Sequence, residues 1–219
     1  MRLLDLFCGA GGAAVGYMRA GFDVTGVDIV PQPAYPSLDV LQGDAMLVLD
    51  DVAFCRTFDV IHASPPCQAY TALRTRQHRW IRYAELVTPV RERLEALGLP
   101  YVIENVLGAP LRAPLVLCGS MFALGLDGRI LRRHRLFESN RTLSAPRPDA
   151  CAGRAVVGVY GTGGTWTRTA PGGGGFKVAG RDAARALGIE HTTRTDELAQ
   201  AIPPAYTEHI GRQLLAAIA

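Results

Sequence analysis

The chain has 219 residues, of which 48% are hydrophobic and 20% charged, with a formal net charge of +3. That balance fits one globular domain with a full core. No apolar run approaches the ~20 residues that span a bilayer, and Met1-Arg2 leads directly into a strand, so no leader is expected. Five cysteines, at 8, 55, 67, 118 and 151, are odd in number and lack paired zinc spacing. Neither a disulfide framework nor a structural metal is therefore expected, and a reducing cytoplasm is the natural setting.

In chain order, Leu3 to Phe7 reads as a short buried strand, followed by the loop Cys8-Gly9-Ala10-Gly11-Gly12. A helix from Ala13 to about Ala20 is closed by Gly21, and a second strand, Phe22 to Asp28, ends in an acid. Glycines between a first strand and a first helix let a ligand approach the backbone, and an acid ending the second strand suits ribose hydroxyls. The spacing Gly-x-Gly-Gly is one residue off the dinucleotide fingerprint, so a nicotinamide cofactor is not the default. The apolar strand Phe58 to Ala63 runs into Ser64-Pro65-Pro66-Cys67-Gln68. Two prolines stiffen this turn and present a thiol where open α/β sheets bind ligands. A buried structural cysteine is the competing reading.

Arg74, Arg76, His78, Arg79 and Arg82 follow. Such a cluster is commonly a solvated face, but its place directly after Cys67 favours phosphate contact. Tyr83 to Leu97 reads as a helix with Leu86, Val90, Leu94 and Leu97 inward and Pro89 bending or delaying its start. Tyr101 to Val106 reads as a strand with Glu104 and Asn105 at its end. Glu104 is either a solvated acid or a group at the ligand crevice. Arg132 to Phe137 brings basic residues into a strand, where period-2 spacing sends Arg133 and Arg135 to one face; a solvated edge is the alternative. Val156 to Tyr160 reads as a further strand, followed by a glycine-dense stretch that contains Trp166, Arg168, Phe176 and Lys177. This stretch is a linker by composition, yet interleaved aromatic and basic groups also suit bases and phosphates. The last helix, Tyr206 to Ala219, is apolar at Ile210, Leu214, Leu215 and Ile218.

Taken in order, Asp-Leu-Phe-Cys-Gly-Ala-Gly-Gly, Val-Asp, Gly-Asp, Ser-Pro-Pro-Cys-Gln, Glu-Asn-Val and Arg-His-Arg resemble the cytosine-5 DNA methyltransferases, over roughly residues 1–140. The resemblance implies an α/β, Rossmann-like S-adenosylmethionine-dependent methyltransferase fold: a doubly wound, mostly parallel sheet with a small recognition insertion. It divides the chain into a catalytic and cofactor-binding core (1–138), a reduced Gly-rich recognition region (139–195) and a C-terminal motif and helix (196–219). Cys67 becomes the nucleophile, Glu104 the group on ring nitrogen 3 and the exocyclic amine, and Arg135, or Arg133 beside it, the contact to the ring carbonyl. Phe7, Gly9, Ala10, Gly11 and Gly12 match the loop around the methionine part of S-adenosylmethionine. Asp28 matches the ribose acid, Ile29 packs on the adenine, Asp44 with Ala45 beside it meets the adenine amine, and Pro66 lines the pocket.

Gln68, Arg74, Arg76, Arg79, Arg82, Trp166, Arg168 and Lys177 become the nucleic-acid contacts. The implied partner is DNA with a short target, in a restriction–modification or phage setting, acted on by a monomer in the cytoplasm without metal or membrane. Two departures stand out. Gln200-Ala201-Ile202-Pro203-Pro204-Ala205 replaces the family's Gln-x-Gly-Asn-Ser-Val, which leaves a backbone contact from Pro204 or Ala205 to the cofactor, and Leu131 replaces the glutamine upstream of the arginines. A tRNA-modifying branch is the nearest rival, but its Cys-Phe-Thr motif is absent. A non-catalytic relative has no use for intact Cys67, Glu104 and Arg135, and a small-molecule methyltransferase gives no reason for the Cys–Glu pair.

Overall fold

The computed structural model describes residues 1–70, 84–149, 151–161 and 175–218. Its first half alternates strand and helix: β1 (Arg2–Leu6), α1 (Gly12–Ala20), β2 (Asp23–Asp28), β3 (Val40–Gln42), α2 (Ala45–Asp50), α3 (Val52–Cys55), β4 (Val60–Ala63), α4 (Val87–Leu97) and β5 (Tyr101–Asn105). The second half is mainly short strands and then helices: β6 (Leu115–Leu117), β7 (Gly125–Leu126), β8 (Arg129–Leu131), β9 (Arg135–Ser139), β10 (Val156–Gly158), β11 (Gly175–Lys177), α5 (Gly180–Leu187), α6 (Thr195–Gln200) and α7 (Pro204–Ile218).

Seven strands form one sheet in the order β3-β2-β1-β4-β5-β9-β6. Pairing is parallel from β3 to β5, and β9 runs antiparallel between β5 and β6. The residues of β4 and β5 are buried throughout, as a parallel sheet covered on both faces requires. Alternation along β1 splits the core. Leu3 joins Tyr17, Tyr206, Ile210 and Leu214 under α1 and α7, while Leu4 and Leu6 join Leu49, Ile61, Val90 and Leu94 under α2 and α4. Contact between α1 and α7 is close: a Cβ on Gly16 would stand 2.1 Å from Pro204 O and from Thr207 Oγ1. Four shorter strands form a second sheet, β11-β10-β8-β7, and share a small core with α5 and α6.

The helix expected to be delayed by Pro89 starts at Val87, which leaves the proline in the first turn where its missing N–H costs nothing. Arg133 departs from the sequence reading. The segment 132–134 is not strand: β8 ends in the small sheet and β9 begins in the large one, so the chain leaves one ladder before joining the other. The period-2 argument that put Arg133 and Arg135 on one face does not apply across such a break. A buried ion pair fixes the far side of β9. Arg91 of α4 reaches Glu138 through Nε to Oε1 at 2.6 Å and Nη2 to Oε2 at 2.7 Å, and Glu138 Oε2 also accepts from Arg112 N at 2.6 Å. No helix among the described residues is long and apolar enough to cross a membrane.

Candidate active site

A cavity of about 1310 Å³ opens at the carboxyl ends of β1, β2, β4 and β5. The chain winds outward from β1 to β3 on one side and from β4 to β5 on the other, so the cavity lies at the switch point where open α/β sheets bind ligands. It is lined by Phe7, Gly9, Ala10, Gly12, Asp28, Ile29, Asp44 and Ala45 at one end and by Pro66, Cys67, Gln68, Glu104 and Arg135 at the other. Thirteen of the residues singled out in the sequence therefore share one space.

The first loop is built by backbone conformation. Phe7 leaves β1 at φ 57°, a left-handed conformation rare for a non-glycine residue, and Gly9 follows at φ 49°. Asp28, at the end of β2, clamps the loop: its Oδ2 accepts from Gly9 N at 2.9 Å and its Oδ1 from Val30 N at 3.0 Å. A Cβ placed on Gly9 would meet nothing within 4 Å, so the loop leaves open room on its cavity side. Gly11 serves differently. It caps α1 at φ 83°, where a Cβ would strike Pro36 Cδ at 2.3 Å, and it is not part of the lining. Asp44 caps α2, its Oδ1 accepting from Met46 N at 2.8 Å, and Ile29 stands 69% exposed at the rim.

At the other end, Glu104 is 6% exposed and Cys67 is half-buried. Arg135 Nε lies 3.0 Å from Glu104 Oε1, close enough for an ion pair but outside hydrogen-bond geometry, so that oxygen makes no hydrogen bond among the described residues. Burial raises the Glu104 carboxyl above its ordinary range, opposed by Arg135, then Arg133, then a hydrogen bond with Ser64. Burial likewise raises the Cys67 thiol, with Arg135 the main opposing charge. One guanidinium thus serves both groups.

Behind Glu104 runs a polar relay. His62 Nε2 lies 2.8 Å from Ser64 Oγ, and His62 Nδ1 lies 2.9 Å from the Tyr17 hydroxyl. Burial lowers His62 to about 3, so its ring is neutral, with one donor and one acceptor nitrogen. With Glu104 ionised, one assignment satisfies Tyr17, His62 and Ser64 together. Tyr17 donates to Nδ1, Nε2 donates to Ser64, and Ser64 donates to the carboxylate.

Arg133 does not line the cavity. It is buried, and its Nη1 and Nη2 donate to Val159 O at 2.6 Å and Ala199 O at 2.8 Å. Desolvation, reinforced by Arg135, lowers it to about 9. Arg74, Arg76, Arg79, Arg82, Trp166 and Arg168 lie outside the described residues. Lys177 sits in β11, 5.5 Å from the Tyr160 ring centroid and away from the cavity. The sequence reading missed a whole wall: His191 to Arg194 and Ala199 to Ile202 line the cavity, and His191 Nε2 donates to Ala10 O at 2.7 Å. The glutamine motif was the one local signal for it. The expected contact point shifts, however, since Gln200, Ala201 and Ile202 form the lining and Pro204 starts α7 instead.

No model of a known protein family matches the chain. One stretch of 79 residues is 37% identical to the type II methyltransferase M1.HphI of Haemophilus parahaemolyticus, covering 31% of this chain and about a fifth (21%) of that relative's length. Among solved structures, S. pombe Dnmt2 methyltransferase superposes with a TM-score of 0.66 at 15% identity, over 100% of this chain and 99% of that one. An E. coli prophage protein described as a DNA modification methyltransferase gives 0.62 at 16%, over 99% of both chains. The Entamoeba histolytica methyltransferase EhMeth gives 0.60 at 10%, over 100% and 99%. The fold is the Rossmann-like fold of S-adenosylmethionine-dependent methyltransferases, as the sequence resemblance implied.

Proposed function

We propose that this chain is an S-adenosylmethionine-dependent DNA cytosine-5 methyltransferase. The observation that carries the reading is the convergence of Cys67, Glu104 and Arg135 at one end of a cavity whose other end is the glycine loop clamped by Asp28. A thiol, a buried carboxyl and a guanidinium are the three groups that covalent activation of an electron-poor pyrimidine needs. The similar structures are methyltransferases, which supports methyl transfer as the reaction class.

The cavity's residues fit the cofactor. Gly9 offers an open backbone surface, Asp28 at the end of β2 and Asp44 at the cap of α2 line the cavity for ribose and adenine, and Ile29 provides an apolar face. S-adenosylmethionine, when bound, supplies the electrophilic methyl group that carbon 5 takes up. Cys67 gives up its proton, helped by the Arg135 charge, and its sulfur bonds to carbon 6 of the cytosine. Glu104, kept protonated more readily by burial, hydrogen-bonds ring nitrogen 3 and so accommodates the electron density that the sulfur pushes into the ring. Loss of the carbon 5 proton to a base then returns the electron pair, and the carbon–sulfur bond breaks. Arg135 orients the ring through its carbonyl. Arg133, which bonds only backbone carbonyls, holds the loop ahead of Arg135 in this scheme. Residues 139–195 serve as the recognition region in this scheme, and Gln68, in the cavity lining next to Cys67, contacts the nucleic acid there.

The test is an incubation of purified protein with labelled S-adenosylmethionine and, separately, duplex DNA, single-stranded DNA and tRNA. Label on DNA carbon 5, and a covalent complex with 5-fluorocytosine DNA that Cys67→Ala abolishes while cofactor affinity is retained, is the expected result. Turnover in Cys67→Ala would refute the mechanism, and label confined to tRNA would refute the substrate.

A further inference from the structure

Four side chains outside this chemistry converge on one point. Cys118 follows β6, His134 lies in the crossing between β8 and β9, and Asp149 and Cys151 lie between β9 and β10. One donor atom from each lies within 4.8 Å of all the others. His134 Nε2 is 2.7 Å from Asp149 Oδ2 and 3.7 Å from Cys151 Sγ, and Cys151 Sγ is 3.1 Å from Asp149 Oδ2. Around a tetrahedral zinc ion, with Zn–S about 2.3 Å and Zn–N or Zn–O about 2.0–2.2 Å, adjacent donor atoms stand about 3.3–3.8 Å apart. The sulfur–nitrogen spacing already matches, and the two shorter spacings need only about half an ångström of opening to reach that geometry.

The surroundings are arranged as metal-ligand support. Asp149 Oδ1 accepts from the Ser120 hydroxyl and from Cys151 N, which turns the other carboxylate oxygen toward the imidazole and the thiol. Arg147 donates to Met121 O at 2.7 Å and to Ser120 O at 3.1 Å, tying the segment that carries Asp149 to the turn that follows Cys118. Two thiols, one imidazole and one carboxylate form a borderline-soft, fully protein-supplied set, which suits zinc in a closed structural site and leaves no position for substrate.

We propose that Cys118, His134, Asp149 and Cys151 bind one structural zinc ion that joins the small sheet to the edge of the large one. A site of this kind runs against the expectation of no structural metal drawn from cysteine spacing, which sees only residues close in sequence. His134 stands between Arg133 and Arg135, and Arg135 Nη1 donates to His134 O at 2.9 Å. The ion therefore fixes the backbone from which Arg135 enters the cavity.

Untagged protein, purified without chelator, is assayed for metal by mass spectrometry and then reconstituted with cobalt. The expected result is one equivalent of zinc, and a cobalt form with the thiolate charge-transfer and intense visible bands of a tetrahedral site. Chelator should lower the melting temperature of wild type. Cys67→Ser should keep the metal, which excludes adventitious binding at the active-site thiol. The double variant C118S/C151S and His134→Asn should lose it. The cobalt spectrum is read on wild type and stands even if a variant fails to fold. Substoichiometric metal after zinc reconstitution, an octahedral cobalt spectrum, a Cys118–Cys151 disulfide, or full retention by C118S/C151S would each overturn the site.

Discussion

Glu138→Ala should be among the most destabilising single changes in the large sheet. Glu138 is 4% exposed and its carboxylate takes both Arg91 contacts and the Arg112 amide. Truncation removes all three hydrogen bonds and leaves the Arg91 guanidinium buried with Pro110 O, at 2.7 Å, as its remaining acceptor. Breaking a buried pair by removing one partner costs about 3–5 kcal/mol, because the surviving charge is desolvated and uncompensated. For a domain of this size each kcal/mol lowers the midpoint by about 2–4 °C, which gives a fall of about 6–20 °C. Urea denaturation followed by circular dichroism measures the loss directly, with an unchanged m-value showing that the two states are the same. Arg91→Met combined with Glu138→Leu should recover much of the loss, since apolar replacement of both partners removes the stranded charge. A loss below about 1 kcal/mol for Glu138→Ala, the range of exposed pairs, would refute the argument that this pair is a buried anchor.

Three further outcomes follow. Asp5 is fully buried, and burial raises its carboxyl to about 7 against an ordinary 3.8, with a Tyr35 hydrogen bond opposing and Asp28 adding repulsion. Between these values the folded state holds a proton that the unfolded state has lost, so stability falls as pH rises from about 4 to about 7. At 1.36 kcal/mol per unit the total is about 4 kcal/mol, so Asp5→Asn should flatten the stability–pH curve and exceed wild type at pH 8; parallel curves for both proteins would refute it. Glu104→Gln should lower turnover about 10²–10⁴-fold across neutral pH with cofactor affinity unchanged by calorimetry, and a rate within threefold of wild type would remove Glu104 from the chemistry. Gly16→Ala should destabilise by about 1–3 kcal/mol, since the added methyl meets backbone of α7 that cannot swing away, and a neutral result in urea denaturation would show that α1 and α7 part freely.

Much of the sheet was legible because β1, β4 and β5 are short apolar runs bounded by glycine, proline or a polar end, and because Gly21 stops α1 where the chain must turn. Cys67 and Glu104 were legible for the same reason: each stands where such a run ends. Arg133 was not, because β8 and β9 belong to different sheets, and local spacing carries no record of which ladder a residue joins. The wall from His191 to Ile202 and the Cys118, His134, Asp149 and Cys151 group were hidden by the same limit. The wall is one stretch that lies far along the chain from the glycine loop it faces, and the four side chains come from separate segments, so only tertiary folding makes each set neighbours. A further signal lay in plain view. Asp5 and His62 interrupt apolar strands that are otherwise buried, and the sheet pairs them directly, Asp5 opposite His62. A polar group inside a run that burial should make apolar must be satisfied or used. His62 is satisfied by Tyr17 and Ser64 and supports Glu104 through Ser64, whereas Asp5 Oδ1 has no hydrogen-bond partner among the described residues and faces the cavity side of the glycine loop. Three polar residues, on three adjacent strands, therefore stand out from the apolar runs around them: Glu104 and Asp5 in the cavity lining, and His62 tied to Ser64 between them.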